Sequence, residues 1–375
     1  FVSGRCKFVA DVDVPGMKHV AILPSPHARA NIISIDTSAA LVMPGVQYVL
    51  TGDEIAEATN SLFHGLDLPN VIWHPLAVGM TRYAGEWVAA VVADSRYIAE
   101  DAVELIEVEY ESLPAAVDSE KMLDEDQPLV HPAHGTNVLF RKTWDWGPVA
   151  DDFASMPHTV SYRARWGRSS TVPIETFGVV AKWDDINEIM DVWASIQMPQ
   201  YQDQIAAALR IPMNNVRVHN DIDVGGSYGV KRGIKHTVLV TYLAKKLGFP
   251  VRFIEDRLDN MSGGDAHGPD RIFDITMAFD DEGVIKSMKM RALDDVGAYP
   301  GRAPLQLGKP MTALCGPYRM NSIEYEAISV TSNKTGQVPV RGFGQSPTNF
   351  AIETGLERVA KYLGLDRVEV RARNL

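Results

Sequence analysis

Apolar residues along this chain come in short runs at two different periods, and the points where the period changes mark its elements. Residues 86–93 read as a strand with a continuous apolar run from Trp87 to Ala93, 95–105 carry Ile98, Ala102 and Leu105 at helical spacing, and 106–110 return to a strand pattern. Asp94 or Ser95 stands where a side-chain oxygen can accept an early helical N–H. Residues 1–118 therefore read as a small α/β unit. From 119 to about 155 the period is lost and Asp, Pro, His and Gly accumulate, as in a long connection. A domain boundary is expected there, with His131 and His134 solvated.

Beyond it, 159–166 and 177–183 alternate as strands, 190–195 form another, and a helix at 201–209 leads to a strand at 216–219. A glycine-rich segment, 224–231, follows that strand directly, and an apolar helix over 234–247 comes next. A strand at 251–254, a hairpin of 273–279 with 284–293, and an amphipathic helix over 350–363 complete the pattern. A second glycine-rich segment, 340–345, lies just before that last helix.

At 375 residues, 46% of them apolar and 22% charged, the chain has material for two globular domains. No apolar run approaches the roughly 20 residues of a membrane-spanning helix. The balance of 36 Lys and Arg against 48 Asp and Glu, a net charge of -12, argues against a general nucleic-acid binder, which needs clustered basic residues to meet phosphates. Cys6 and Cys315 are too few and too isolated for a disulfide scaffold, a zinc site or an iron–sulfur cluster, so any cluster must sit on another chain. The chain starts at Phe1 without a secretory pattern and stops just after a helical one, and it is expected to be a piece of a longer polypeptide.

Both glycine-rich segments interleave glycines with an aromatic residue: Gly225-Gly226-Ser227-Tyr228-Gly229 and Arg341-Gly342-Phe343-Gly344. Glycines let backbone amides come close to a ligand and the aromatic can form a wall, a combination suited to a large, polar, planar group; tight structural turns are the plainer alternative. The first segment has neither the spacing of a phosphate-binding P-loop nor that of a dinucleotide fingerprint. No H-E-x-x-H zinc motif and no G-x-S-x-G nucleophile elbow occurs.

Taken in order, Phe8-Val9-Ala10-Asp11, Ser25-Pro26-His27-Ala28, Pro44-Gly45-Val46, Pro173-Ile174-Glu175, Trp193-Ala194-Ser195-Ile196-Gln197, the first glycine loop, Glu255-Asp256-Arg257, Asp295-Val296-Gly297-Ala298-Tyr299 and the second glycine loop resemble the molybdopterin-binding large subunit of the xanthine dehydrogenase and aldehyde oxidase family. The resemblance spans nearly the whole chain. It implies an α/β (α+β) fold: an N-terminal α/β hammerhead domain at 1–118, a linker at 119–155, and the first molybdopterin-binding domain at 156–375. A second such domain, which carries the family's catalytic glutamate, would lie outside these residues.

The resemblance also implies roles. Gln197 matches the glutamine whose amide hydrogen-bonds the metal's apical oxygen. Gly226, Ser227, Tyr228 and Gly229 match a loop whose amides approach the cofactor; Ser227 and Tyr228 stand where the family usually has Gly and Phe, which puts any need for positive φ at Ser227 in doubt. Arg341 and Gly342 match the second cofactor loop, and Phe343 the aromatic that packs on a planar substrate. Carbon monoxide dehydrogenases of this superfamily have a cysteine at the place of Gly342, to hold copper, so Gly342 argues against that activity. Arg232 and Lys309 occupy the two positions that set substrate class, and a base at 232 in place of an acid points away from xanthine.

The function so implied is oxidation of an aldehyde or N-heteroaromatic compound with oxygen drawn from water. Molybdenum is held by molybdopterin, expected in its cytosine dinucleotide form, with no direct protein ligand. Electrons pass to 2Fe–2S clusters and FAD on a small iron–sulfur subunit and a medium flavin subunit, in the cytoplasm or, with the N-terminus incomplete, the periplasm. The isolated piece is expected to be inactive. Two alternatives are a homologue kept for assembly or cofactor handling without turnover, and a subunit like that of 4-hydroxybenzoyl-CoA reductase.

Overall fold

The computed structural model describes residues 2–264 and 266–375. Its strands, in chain order, are β1 (Lys18–Pro24), β2 (Ala30–Asp36), β3 (Val46–Thr51), β4 (Met80–Thr81), β5 (Trp87–Ala93), β6 (Glu107–Ser112), β7 (Val138–Trp146), β8 (His158–Trp166), β9 (Gly178–Asp184), β10 (Ile189–Ala194), β11 (Val216–His219), β12 (Val251–Ile254), β13 (Arg271–Phe279), β14 (Ile285–Asp295) and β15 (Ser322–Val330). They form a seven-stranded sheet ordered β11-β10-β9-β12-β1-β5-β3, a five-stranded sheet ordered β7-β15-β14-β13-β8, and a small sheet ordered β4-β2-β6.

The apolar run of β5 is buried at every position, as a strand covered on both faces requires. Trp87, Ala90 and Val92 join the large core around helix Ile234–Leu247, while Ala89, Val91 and Ala93 face helix Arg96–Val103. Ser95 caps the latter helix by accepting the Ile98 N–H. Leu105, expected on its apolar face, lies beyond the helix and is exposed, because the chain has already turned toward β6. Helix Ile234–Leu247 is buried all along Ile234–Ala244, which explains why its apolar residues are not confined to one face; the buried Lys235 and His236 are hydrogen-bonded, to the Gly263 carbonyl and to Glu255.

The seven-stranded sheet crosses the expected boundary at 118. β1 and β12 pair in parallel, Lys18 opposite Val251, so strands from both sides of the boundary share one hydrogen-bonded sheet. The expected connection at 119–155 is also structured at its end. Residues 138–146 are β7, paired antiparallel with β15, and helix Val149–Ser155 follows. Their alternation is hard to read in the sequence because β7 is an edge strand with exposed charged positions. His131 is not solvated as expected: it is buried, and its ring nitrogen lies 2.6 Å from the Ala298 carbonyl oxygen.

β14 and β15 are parallel neighbours, so the chain must cross over between them. That crossover, residues 296–321, carries helix Leu305–Gly308 and Lys309 to the end of the sheet where the second glycine loop lies. Beneath the loop, Arg271 and Asp294 form a fully buried ion pair with Nε to Oδ1 at 2.8 Å. Gln337 donates to the same carboxylate at 3.1 Å, and an Arg271 Nη1 donates to the Gly344 carbonyl at 3.4 Å. Gly344 closes the turn at φ 86, and a Cβ there would lie 1.9 Å from the Gln306 carbonyl oxygen.

Three stability outcomes follow from this packing. Arg271→Met leaves Asp294 buried without its partner and is expected to cost about 3–5 kcal/mol in equilibrium unfolding by urea, with the Arg271→Met/Asp294→Leu pair costing less than Arg271→Met alone. Gly344→Ala is expected to cost about 1–3 kcal/mol, against the usual gain from removing a glycine. Burial lowers the His131 pKa to about 4, so the folded state favours the neutral ring and stability falls as pH drops from 6.5 toward 4. Between pH 7 and 4 the wild type should lose up to about 3 kcal/mol more than His131→Gln; equal losses would show that His131 contributes nothing.

Candidate active site

The first glycine loop is held from below by Glu175. Its Oε2 accepts the Gly225 N–H at 2.6 Å and pairs with the Lys231 ammonium, which is buried. Burial depresses the Lys231 pKa, and the Glu175 carboxylate works against that shift. Pro173 and Ile174, just ahead of Glu175, accept from Arg257 through their carbonyls at 2.5 and 2.9 Å. Behind them the buried Glu255 accepts from His236 at 3.1 Å and Asn260 at 2.8 Å. Burial pushes Glu255 upward, but these hydrogen bonds outweigh it and hold the carboxyl below its ordinary range.

The question raised by Ser227 has a geometric answer. Positive φ falls on Gly226 (90), Tyr228 (56) and Gly229 (117), not on Ser227. The Ser227 hydroxyl instead accepts the Lys231 N–H at 3.1 Å, closing the turn from within. Left-handed geometry thus passes to Tyr228, whose side chain is 50% exposed and leaves the core for the open side of the loop.

Three segments that lie far apart in sequence meet here. Gly229 donates to Gln197 Oε1 at 3.2 Å, and the Gln197 N–H donates to the Lys231 carbonyl at 3.2 Å. Arg341 donates its backbone N–H to the Tyr228 carbonyl at 2.6 Å, which ties the second loop to the first. A Cβ on Gly229 would lie 2.2 Å from the Pro339 carbonyl oxygen, so the two loops touch backbone to backbone. Gln197 itself is exposed, and no described residue accepts from its amide nitrogen.

Two of the residues expected to face substrate touch one another. Lys309 and Phe343 come together, with Nζ 5.3 Å from the ring centroid. Phe343 adopts φ 34 between Gly342 at 97 and Gly344 at 86, a conformation that fixes where the ring can point. Arg232 has Nη2 3.0 Å from the Met198 sulfur and lines a cavity that also includes Trp73 and Tyr299. The Arg341 side chain is exposed.

Glu175 and Lys231 were present in the sequence motifs but carried no stated role there. The Arg271, Asp294 and Gln337 cluster was not singled out. Sequence separations of 56, 23 and 43 residues hide these contacts. One signal could have found Glu175 and Lys231: a lysine beside an apolar residue in a glycine turn needs a buried acid if it is to turn inward.

Residues 130–375 match the family described as the molybdopterin cofactor-binding domain, and residues 3–114 match the aldehyde oxidase and xanthine dehydrogenase a/b hammerhead domain. The chain is 32% identical to the gamma subunit of the 6-hydroxypseudooxynicotine dehydrogenase complex of Paenarthrobacter nicotinovorans, covering 100% of this chain and 48% of that protein. It is also 32% identical to the carbon monoxide dehydrogenase large chain of Hydrogenophaga pseudoflava, again over 100% of this chain and 48% of that one. Among solved structures, quinoline 2-oxidoreductase of Pseudomonas putida 86 superimposes with a TM-score of 0.92 at 36% identity, over 100% of this chain and 48% of its own. The chain therefore spans about half the length of these relatives. The matching sequence, the hammerhead followed by its partner domain, and the shared fold place this chain in the family of molybdopterin-binding large subunits of xanthine dehydrogenases and aldehyde oxidases.

Proposed function

We propose that the whole protein is a molybdenum hydroxylase that oxidises an aldehyde or N-heteroaromatic compound with water-derived oxygen and passes electrons to iron–sulfur and flavin partners. The observation that carries this reading is the orientation of Gln197. Its oxygen is taken up by the Gly229 N–H, so its exposed amide nitrogen is offered on the open side of the loops as a neutral donor. Molybdopterin, when bound, would supply a redox-active molybdenum centre.

The residues present suit such a group. The amide of Gln197 and the backbone N–H groups of the two loops would offer donors without adding net charge, which favours an oxygen-rich, anionic ligand held close to backbone. Phe343 would give a planar ring a surface to pack on, and Tyr228 would bring a hydroxyl to the same open side. The cytosine dinucleotide form, the 2Fe–2S and FAD subunits and a cytoplasmic location belong to the same proposal. Gly342 takes φ 97, which a cysteine there would adopt only with strain, besides pushing the Ser346 hydroxyl aside; that supports a hydroxylase over a copper-dependent carbon monoxide dehydrogenase.

The full-length complex should contain molybdenum and iron, and a folded complex with neither metal would overturn the reading. In that complex Gln197→Ala should lower kcat by about 10–100-fold with molybdenum content within twofold of wild type, as expected for loss of one positioned donor. Lys231→Met, which strands Glu175 beneath the loop, should instead lower molybdenum content; normal loading would show that the pair is not needed to shape the loop.

A further inference from the structure

In a chain of net charge -12, the stretches 224–254, 296–323 and 331–352 are among those that contain no Asp or Glu. Each contributes to the candidate site, where the acid against the first loop, Glu175, is already paired with Lys231. The first holds the first glycine loop and Arg232, the second the crossover with Arg302 and Lys309, and the third the second glycine loop with Arg341. A site walled by one sign of charge focuses the field and attracts the opposite charge.

Two cations of the crossover are placed to use that field. Arg302 lies on the lining of a cavity of about 60 Å³ whose aromatic walls include Phe63, Trp73 and Tyr299. Its guanidinium sits 5.2 Å from the Phe63 ring centroid, one Nη donates to Gln200 Oε1 at 2.6 Å, and its buried Nε has no hydrogen-bond partner. Lys309 is exposed above Phe343. Neither forms a salt bridge with a described residue, and no described residue on the cavity lining is a carboxylate. Lys235, also on the lining, is already committed to the Gly263 carbonyl at 2.5 Å and to the Trp87 ring.

We propose that Arg302 and Lys309 select a planar substrate carrying an anionic group, such as a carboxylate, and that the cavity beside Arg302 receives its charged end. This rests on the hydroxylase reading and narrows its substrate class. The size of the cavity fits that division: a space that admits a whole benzene ring measures about 150 Å³, so about 60 Å³ takes a head group and leaves the ring outside. Arginine suits a carboxylate because its planar fork can meet both oxygens. The same positive field could serve an anionic group of the cofactor instead, and the two sources separate experimentally.

The test uses the full-length, molybdenum-loaded complex and two matched pairs: 4-formylbenzoate with benzaldehyde, and pyridine-3-carboxylate with pyridine-3-carboxamide. At least one pair should show kcat/KM at least tenfold higher for the anion. Arg302→Leu or Lys309→Met should lower that ratio at least tenfold, chiefly through KM, at unchanged molybdenum content. A wild-type ratio near one, a ratio unchanged in both variants, or variants that lose molybdenum while keeping their selectivity would each overturn the proposal. If the loaded complex oxidises none of the four, the hydroxylase reading fails for these classes, and calorimetric binding of 4-formylbenzoate and benzaldehyde decides the charge preference alone. A tenfold preference for the anion that is lost in the variants supports it, and equal affinity overturns it.

Discussion

The buried ion pair between Arg271 and Asp294 fixes the end of the five-stranded sheet on which the second loop rests. Both side chains are fully withdrawn from water, so their desolvation is tolerable only because the geometry is good and Gln337 and the Gly344 carbonyl satisfy further groups. Burial alone pushes the Asp294 carboxyl upward, and the guanidinium beside it pulls the other way. Next to it Asp295 receives Lys334 at 2.8 Å and Ser332 at 2.6 Å, which extends the polar cluster into the return segment after β15. A loop whose supports are this specific has one way to lie.

The first loop is built on a different principle. Glu175 and Lys231 meet at the edge of the core, and the rest of the support comes from main-chain contacts: Gly229 to Gln197, Arg341 to Tyr228, Gln197 to Lys231. The two loops therefore come from separate sheets yet are joined edge to edge. Disturbance at either support would reach both, because the donors they offer are positioned by the same few hydrogen bonds.

Much of this was legible beforehand because its causes are local. The apolar run of β5, the helix capped by Ser95, the largely apolar helix after the first loop and the hairpin around Asp280–Gly283 each follow from periodicity or turn chemistry within a few residues. The glycine loops could be found as candidates, but not their mutual contact, since nothing near Tyr228 reports on Arg341. β7 was missed because an edge strand keeps polar residues on its exposed positions, and His131 because burial is set by Ala298, 167 residues away. Ser227 shows a subtler limit. Its neighbours, not itself, take up the left-handed backbone, and only coordinates reveal that exchange.

The pairing of β1 with β12 has a further meaning. The two matched regions, 3–114 and 130–375, are recognisable in sequence one after the other. In the structure they share one sheet. Cut at that seam, the first region would leave one edge of β1 without its partner, and the second would expose the edge of β12 to any passing strand. Two modules distinguishable along the chain are thus joined through the middle of one sheet, and a hinge motion between them would have to break that pairing.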